Sequence, residues 1–265
     1  MNRSTGYWAT MQMCLRRVFD GNLLQVARAY LLRFLQFFLF ILIWRGLAAA
    51  GADLGGMTLE QLTCYSLLAT LLNPLLDITT PATEALWEGS IVGRYLRPNS
   101  VLLCFAAETV GGRWLPALIF YSLPLALLSP LLGISLAPAS WVHGLLAAAS
   151  LCLSVLLGFA LDLAFAALAV RMKNGCWAAL DIRRAFFSLL SGAAIPFALF
   201  PEAVGRALGY LPFGAIASAP LTLYVGANAQ PLQTLALQAV WTALFWLLAR
   251  WAYHKSEERM ISYGG

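Results

Sequence analysis

Asp162 is the ionisable residue whose position most restricts its chemistry, because it lies inside the apolar segment from Ser154 to Val170. A carboxylate at such a depth is costly in a bilayer and is expected to face the interior of a helix bundle. Two interpretations follow. Asp162 either forms a cation or proton site, which would favour a cationic compound, or partners a polar group on a neighbouring helix.

A second group of chemically interesting residues lies in the loop 79–100. Thr83 precedes Glu84, Trp87 and Glu88, which are predicted to form a short helix that ends at Gly89. The apolar residues that follow, Ile91, Tyr95 and Leu96, lie on what should be a cytoplasmic surface. Apolar side chains in that position indicate either docking of a partner or packing onto the helix ends.

Glu108 and Arg113 lie five residues apart near the start of an apolar helix. They are predicted to pair with each other at the inner interface rather than to bind a ligand.

Motifs for independent catalysis are missing. The chain contains no GxxxxGK[ST], GxSxG or HExxH motif, and therefore no P-loop of its own. His143 and His254 are its only histidines, and its five cysteines include no CxxC pair. A zinc site, a disulfide framework and a His-based triad are therefore improbable. An intramembrane enzyme is for this reason less favoured than a transporter or channel.

The composition identifies the elements that must position these residues. Of 265 residues, 61% are hydrophobic and 11% are charged, with a mean hydropathy of +0.76 and a formal net charge of +5. Soluble domains carry about 25% charged residues, and nucleic-acid binding needs a dense basic face. The composition therefore excludes a soluble fold and disorder, and predicts an all-α polytopic membrane protein forming a single transmembrane domain.

Apolar stretches of about 20 residues mark six predicted spans. These are approximately residues 30–50, 59–77, 106–131, 140–170, 185–201 and 231–253. The intervening segment 202–226 is also apolar, but its prolines and glycines disfavour an unbroken helix. It is predicted to form a re-entrant or broken hairpin at the outer face.

Positive charge predicts the orientation. With the N-terminus inside, 15 of the 17 basic residues lie in inner segments, leaving Arg45 and Arg206 outside. This positive-inside pattern predicts that both termini are cytoplasmic. Residues 5–20 carry Trp8, Met11 and Leu15 at helical spacing, which predicts an amphipathic interfacial helix rather than a solvated leader.

The order of these parts resembles the permease subunits of ABC-2 type ATP-binding-cassette transporters, specifically the compact six-span branch. The similarity covers nearly the whole chain. Its local marks are Ile43-Trp44-Arg45, Tyr95-Leu96-Arg97-Pro98, the segment 191–201 that contains Ala194-Ile195-Pro196-Phe197, and Leu211-Pro212-Phe213.

The resemblance implies a mechanism. Two permease protomers, identical or related, would form a path in the plasma membrane for export of a small-molecule, lipid or peptide substrate. ATP and Mg would be bound by separate ATPase subunits, leaving this chain without a cofactor. The loop 83–97 would couple to the ATPase, and the hairpin would act as the outer gate. The coupling residues would be Glu84, Trp87, Glu88, Ile91, Arg94, Tyr95 and Arg97. Gly192, Pro196, Pro201 and Pro212 are either hinges of this gate or static kinks.

The alternative is a secondary transporter or channel driven by an ion gradient, with Asp162 as the ion site. Such transporters often contain two matching halves, and none is evident in this chain. Substrate flux under a pH gradient without an ATPase would distinguish the two classes.

Overall fold

A computed structural model describes residues 3–20, 23–88, 90–96, 100–171 and 176–263. Within these ranges the chain is helical and contains no strand. The helices are α1 (Arg3–Asp20), α2 (Leu23–Ala49), α3 (Leu59–Leu71), α4 (Asn73–Leu76), α5 (Ala82–Trp87), α6 (Ile91–Tyr95), α7 (Val101–Leu132), α8 (Trp141–Arg171), α9 (Cys176–Leu190), α10 (Glu202–Gly209), α11 (Pro212–Tyr224) and α12 (Pro231–Tyr263).

Four of the described helices are long and apolar enough to cross a membrane: Tyr30–Ala49 of α2, α7, Trp141–Ala169 of α8 and Pro231–Ala252 of α12. The pair α10 and α11, bent by 102°, would make a fifth crossing if it counted as one span. The chain is thus a multi-pass membrane protein. Helices α3 and α9 have 13 and 15 residues, or about 20 and 22 Å at 1.5 Å per residue. Both are shorter than a hydrocarbon core of about 30 Å, so six spans remains a prediction.

The fifth predicted span differs most from the structure. It was expected at 185–201, whereas α9 runs from Cys176 to Leu190. The helix therefore contains Arg183 and Arg184, which the charge pattern assigns to an inner segment, and also Asp181. It ends before Gly192, which adopts a φ of 73° that other residues rarely tolerate.

Helix α7 contains two wide π turns, at Val110–Trp114 and Leu118–Ser122. Each closes with i→i+5 hydrogen bonds and accommodates an extra residue. The first begins just before Gly111 and Gly112, where the absence of side chains permits close packing. The second lies beside α3, since Ser122 Oγ donates to Leu71 O at 2.8 Å.

Helix α11 lies at the centre of the bundle, packed against α3, α8, α9 and α12. Pro212 occupies its first turn, where a missing backbone N–H is harmless. Ten of its 13 residues are buried, including the interior Pro220. Broken or kinked backbone at membrane depth is tolerated where protein surrounds it, so burial explains how this apolar, proline-containing segment is accommodated.

Gln238 of α12 fixes α11 in this position. Its side-chain nitrogen donates to Ala215 O at 2.9 Å and to Ser150 O and Ser154 Oγ at 2.8 Å. Its oxygen accepts from Ser150 Oγ at 2.8 Å. Gln238 is fully buried, so one amide joins α8, α11 and α12 in an apolar interior.

Helix α1 packs along the first π turn of α7. Tyr7 Oη accepts from the Ser100 backbone N–H at 3.0 Å. A Cβ built at Gly111 would lie 2.2 Å from Met11 O, and one at Gly112 would lie 3.8 Å from Cys14 Cβ. Trp8, on the other side of α1, remains 58% exposed. The interfacial position of α1 remains a prediction.

This contact allows a cross-linking test. The Gly112→Cys variant is expected to form a disulfide with Cys14, because their Cβ atoms would have ordinary disulfide separation. Adding Gly111→Ala is expected to abolish that disulfide, since the new methyl group would collide with backbone that cannot rotate away. Burial, and secondarily the charge of Glu108, raises the pKa of the Cys14 thiol above its ordinary 9.0. Less thiolate is then present at neutral pH, so the cross-link should form faster as the pH rises.

The matched control is Gly46→Ala, since a Cβ at Gly46 would meet nothing within 4 Å. Added to Gly112→Cys, it should leave cross-linking unchanged. Equal cross-linking with Gly111→Ala would contradict the close packing of α1 on α7.

Candidate functional site

Arg183 forms the centre of a buried polar cluster. Its Nη2 donates to Asp77 Oδ1 at 3.0 Å and to Ile78 O, and its Nη1 donates to Thr79 Oγ1 at 3.1 Å. Its Nε lies 3.5 Å from Asp162 Oδ1. The side chains of Arg183 and Asp162 are 3% and 1% exposed. One guanidinium therefore bridges two carboxylates.

Asp162 is held from its other side by Thr80. Its Oδ2 accepts from Thr80 N–H at 2.9 Å and from Thr80 Oγ1 at 2.6 Å. Helix α8 approaches this turn closely because Gly158 has no side chain; a Cβ there would lie 3.0 Å from Ile78 Cδ1. Arg113 of α7 also contacts the turn, with Nη1 3.3 Å from Thr79 O. Asp77, Thr79, Thr80, Asp162 and Arg183 are called the Arg183 cluster below.

The geometry of the Arg183 cluster favours one of the two interpretations of Asp162. Both carboxylate oxygens face protein groups, and Arg183 lies beside the one that lacks a hydrogen bond. Buried charges persist in a low-dielectric interior when they are paired and hydrogen-bonded. Asp162 is thus a structural partner of α9 and of the turn 77–80.

The segment that follows the cluster is the predicted coupling segment, residues 83–97. The turn of the Arg183 cluster leads directly into α5, since Thr80 Oγ1 accepts from Ala82 N–H at 3.2 Å. Helix α5 packs against α8 and α9. Glu84 and Glu88 are exposed, and Tyr95 is 45% exposed. Three side chains of the predicted coupling segment are therefore accessible.

Two predicted coupling residues have anchoring contacts instead. Ile91 is 1% exposed and packs with Phe105 in a buried cluster, so its predicted position on a docking surface is wrong. Arg94 Nη1 lies 2.5 Å from Glu108 Oε1, and its guanidinium lies 4.8 Å from the centre of the Phe105 ring. The predicted Glu108–Arg113 pair is therefore also wrong: the loop brings Arg94 to Glu108. The Trp87 side chain and Arg97 lie outside the described residues.

A cavity of about 320 Å³ adjoins the cluster, between α2, α3 and α9. Asp77 belongs to both, so the cluster forms part of the cavity wall. Polar and aromatic side chains are mixed along it: Arg33, Gln36, Phe37, Phe40, Ser66, Thr70, Asn73, Asp77, Arg184, Phe187 and Ser188, with Ala69, Ala193 and Ala194 completing the lining.

The long apolar helices of this bundle agree with a comparison against protein families. A family model described as ABC-2 family transporter protein matches residues 30–264. The chain belongs to the ABC-2 transporter family. Compared with curated proteins and with solved structures, the chain gives no match. The family match confirms the resemblance inferred from the sequence and makes this chain a permease component of an ABC transporter, a type of membrane subunit that is typically non-catalytic.

In this ABC-2 permease the four predicted hinge positions lie around the bent pair α10 and α11. Gly192 follows α9 and accepts a hydrogen bond through its carbonyl from Tyr65 Oη at 2.7 Å. Pro196 and Pro201 each precede a helical turn in extended conformation, and Pro212 begins α11. All four thus lie at breaks between elements. A hinge role remains a proposal.

Sequence reasoning missed the partners that define the site of this ABC-2 permease, Arg183 above all. In the sequence, Arg183 is simply one of the basic residues of a predicted inner segment. A usable signal existed: Asp77 and Asp162 both lie near the predicted inner ends of spans, so a basic residue at the same depth is required to neutralise them. Thr79 and Thr80 carried no comparable signal, because hydroxyls are frequent near helix ends.

Proposed function

We propose that this chain forms, with a second permease protomer, the translocation path of an ATP-driven exporter whose ATPase subunits are separate polypeptides. The main supporting observation is the Arg183 cluster, which joins the turn 77–80, immediately before the coupling segment, to α8 and α9. A force applied to the coupling segment would therefore reach two helices of the bundle through short, charge-assisted contacts.

The ATPase would contact the exposed face formed by Glu84, Glu88 and Tyr95. Ile91 and Arg94 would hold this face against the bundle through their buried and paired side chains. Trp87 and Arg97 belong to the proposed contact by sequence position. ATP and Mg remain with the partner ATPase, and this chain needs no cofactor.

The proposed topology is that of a plasma-membrane protein whose inner segments, which carry most of the basic residues, face the cytoplasm. Both termini lie on that side. The six spans would be α2, α3 with α4, α7, α8, α9 and α12. The two short members, α3 with α4 and α9, would rely on protein neighbours at their ends, as the burial of α3 indicates. The bent pair α10 and α11 would close the outer side, with Gly192, Pro196, Pro201 and Pro212 as hinges.

Transport requires two packings of the bundle with different access to the cavity. ATP and substrate must prefer different packings, because a ligand shifts an equilibrium only through differential affinity. The mixed polar and aromatic lining of the cavity supports a hydrophobic or amphipathic substrate.

The coupling face provides the test. The Tyr95→Ala variant, combined with Glu84→Ala, is expected to reduce co-purification of a co-expressed ABC ATPase subunit by about tenfold or more, because exposed aromatic residues carry a large share of interface energy. Thermal stability should change little, since both side chains are substantially exposed.

The matched control is Tyr210→Ala, which removes an exposed tyrosine outside the coupling segment. It should leave ATPase binding intact. Nucleotide-independent substrate flux by the isolated chain under a pH gradient would refute the proposal and identify a secondary transporter.

A further inference from the structure

We propose that the cavity between α2, α3 and α9 binds an amphiphile with an anionic head, with Arg33 as the principal head-group ligand. The inference rests on the proposed function, because it names the substrate class of the same path. The proposed ligand has a head group that bears a phosphate or a carboxylate, joined to an apolar body.

Arg33 is the first observation. It is half-buried in the cavity wall, and its guanidinium lies 5.9 Å from the centre of the Tyr121 ring. Among the described residues no carboxylate forms an ion pair with it. A guanidinium carries five N–H donors in a planar fork that matches carboxylate and phosphate oxygens. The Tyr121 ring does not occupy these donors as a carboxylate would, so they are available to an anion.

The charge balance of the cavity is the second observation. Its single acidic lining residue among those described is Asp77, whose Oδ1 is already bound by Arg183. Arg184 adds a second guanidinium, and its pair with Asp181, at 3.4 Å, is exposed and weak. Asp162 does not line the cavity. The cavity therefore presents net positive charge, which favours an anion and disfavours the cationic substrate that Asp162 had suggested.

The distribution of the lining is the third observation. Arg33, Phe37 and Phe40 line the cavity from one face of α2, with Phe37 one helical turn and Phe40 two turns beyond Arg33. Oriented this way, an anionic head would meet Arg33 while its apolar body contacts the rings. A free anion would leave those aromatic groups without a partner.

The probe is dodecyl phosphate, titrated into the full chain in nanodiscs of zwitterionic phosphatidylcholine and followed by calorimetry. Saturable binding is expected, and Arg33→Gln should weaken it at least about tenfold, as loss of a charge-assisted contact does. Arg33→Lys retains charge without the fork and should weaken it less. Arg206→Gln removes an exposed guanidinium outside the cavity and should have no effect.

A competition experiment distinguishes a bilayer lipid from a soluble amphiphile as the natural occupant of the cavity. Competition by phosphatidylglycerol added to the nanodisc would support the proposal with a bilayer lipid as occupant, and its absence would support a soluble amphiphile. If inorganic phosphate bound as tightly as dodecyl phosphate, the apolar body would not contribute and the proposal of an amphiphile would be wrong. If dodecyltrimethylammonium bound more tightly than dodecyl phosphate, the proposal of an anionic head group would be wrong. The measurement needs no ATPase, so a failure of ATPase co-purification refutes the proposed function without altering this result.

Discussion

Replacing Arg183 by Met is expected to lower the free energy of unfolding by about 3–5 kcal/mol, because two carboxylates would lose their shared cation inside the bundle. Asp162 is the more affected of the two, since its side chain is 1% exposed and water cannot take the place of the guanidinium. Asp77, at 24% exposure, retains partial access to water. Thermal unfolding in detergent measures the effect.

Two further variants test whether the unpaired buried carboxylate causes this loss of stability. Arg206→Met breaks an exposed pair with Glu202 and should change stability by less than about 1 kcal/mol. Adding Asp162→Asn to Arg183→Met should recover part of the lost stability, because the carboxylate left without a cation is then neutral. An Arg183→Met variant as stable as the parent would show that the cluster does not hold the turn 77–80 to α8 and α9.

Replacing Gln238 by Leu is expected to destabilise the bundle by several kcal/mol, at about 1–3 kcal/mol for each buried polar group that loses its partner. Ser150 Oγ loses its acceptor, and Ser154 Oγ and Ala215 O lose a donor. Since Ala215 belongs to α11, this helix should loosen first. Alkylation of a cysteine introduced at Ser218, which is buried, would report that loosening.

The control for this variant lies on the same helix. Gln233 is an exposed glutamine of α12, and Gln233→Leu should leave unfolding and alkylation unchanged. If Gln238→Leu behaved like Gln233→Leu, the position of α11 would depend on apolar packing rather than on the amide.

The sequence predicted the class of fold because composition alone requires a membrane. It also predicted that the prolines and glycines of 202–226 disfavour an unbroken helix, and the 102° bend between α10 and α11 lies in this segment, although Gly214 and Pro220 lie inside α11. It did not predict that α11 would be buried at the centre of the bundle, since apolar residues satisfy lipid and protein equally well. Hydropathy cannot distinguish these two surroundings.

The candidate site was predictable only in part. Asp162 was found from its cost in lipid, but its partners Thr80 and Arg183 depend on packing of elements far apart in the chain. The sequence predicts too late a start for the fifth span because the charge pattern assigns Arg184 and Arg183 to an inner segment. Their helix tolerates them because one is exposed and the other is neutralised. Pairing across elements leaves no trace in local hydropathy.

The two wide turns of α7 have a consequence for the whole length of that helix. In a regular helix, with about 100° per residue, Phe105 and Leu125 would point in nearly opposite directions, about 200° apart. Each wide turn absorbs one residue, and two of them return Leu125 to the angular phase of Phe105. Both side chains are in fact buried, at 1% and 0%. The two π turns therefore compensate each other. With only one of them, the apolar side chains of the distal half of the helix would be rotated by more than a quarter of a turn, toward the lipid acyl chains.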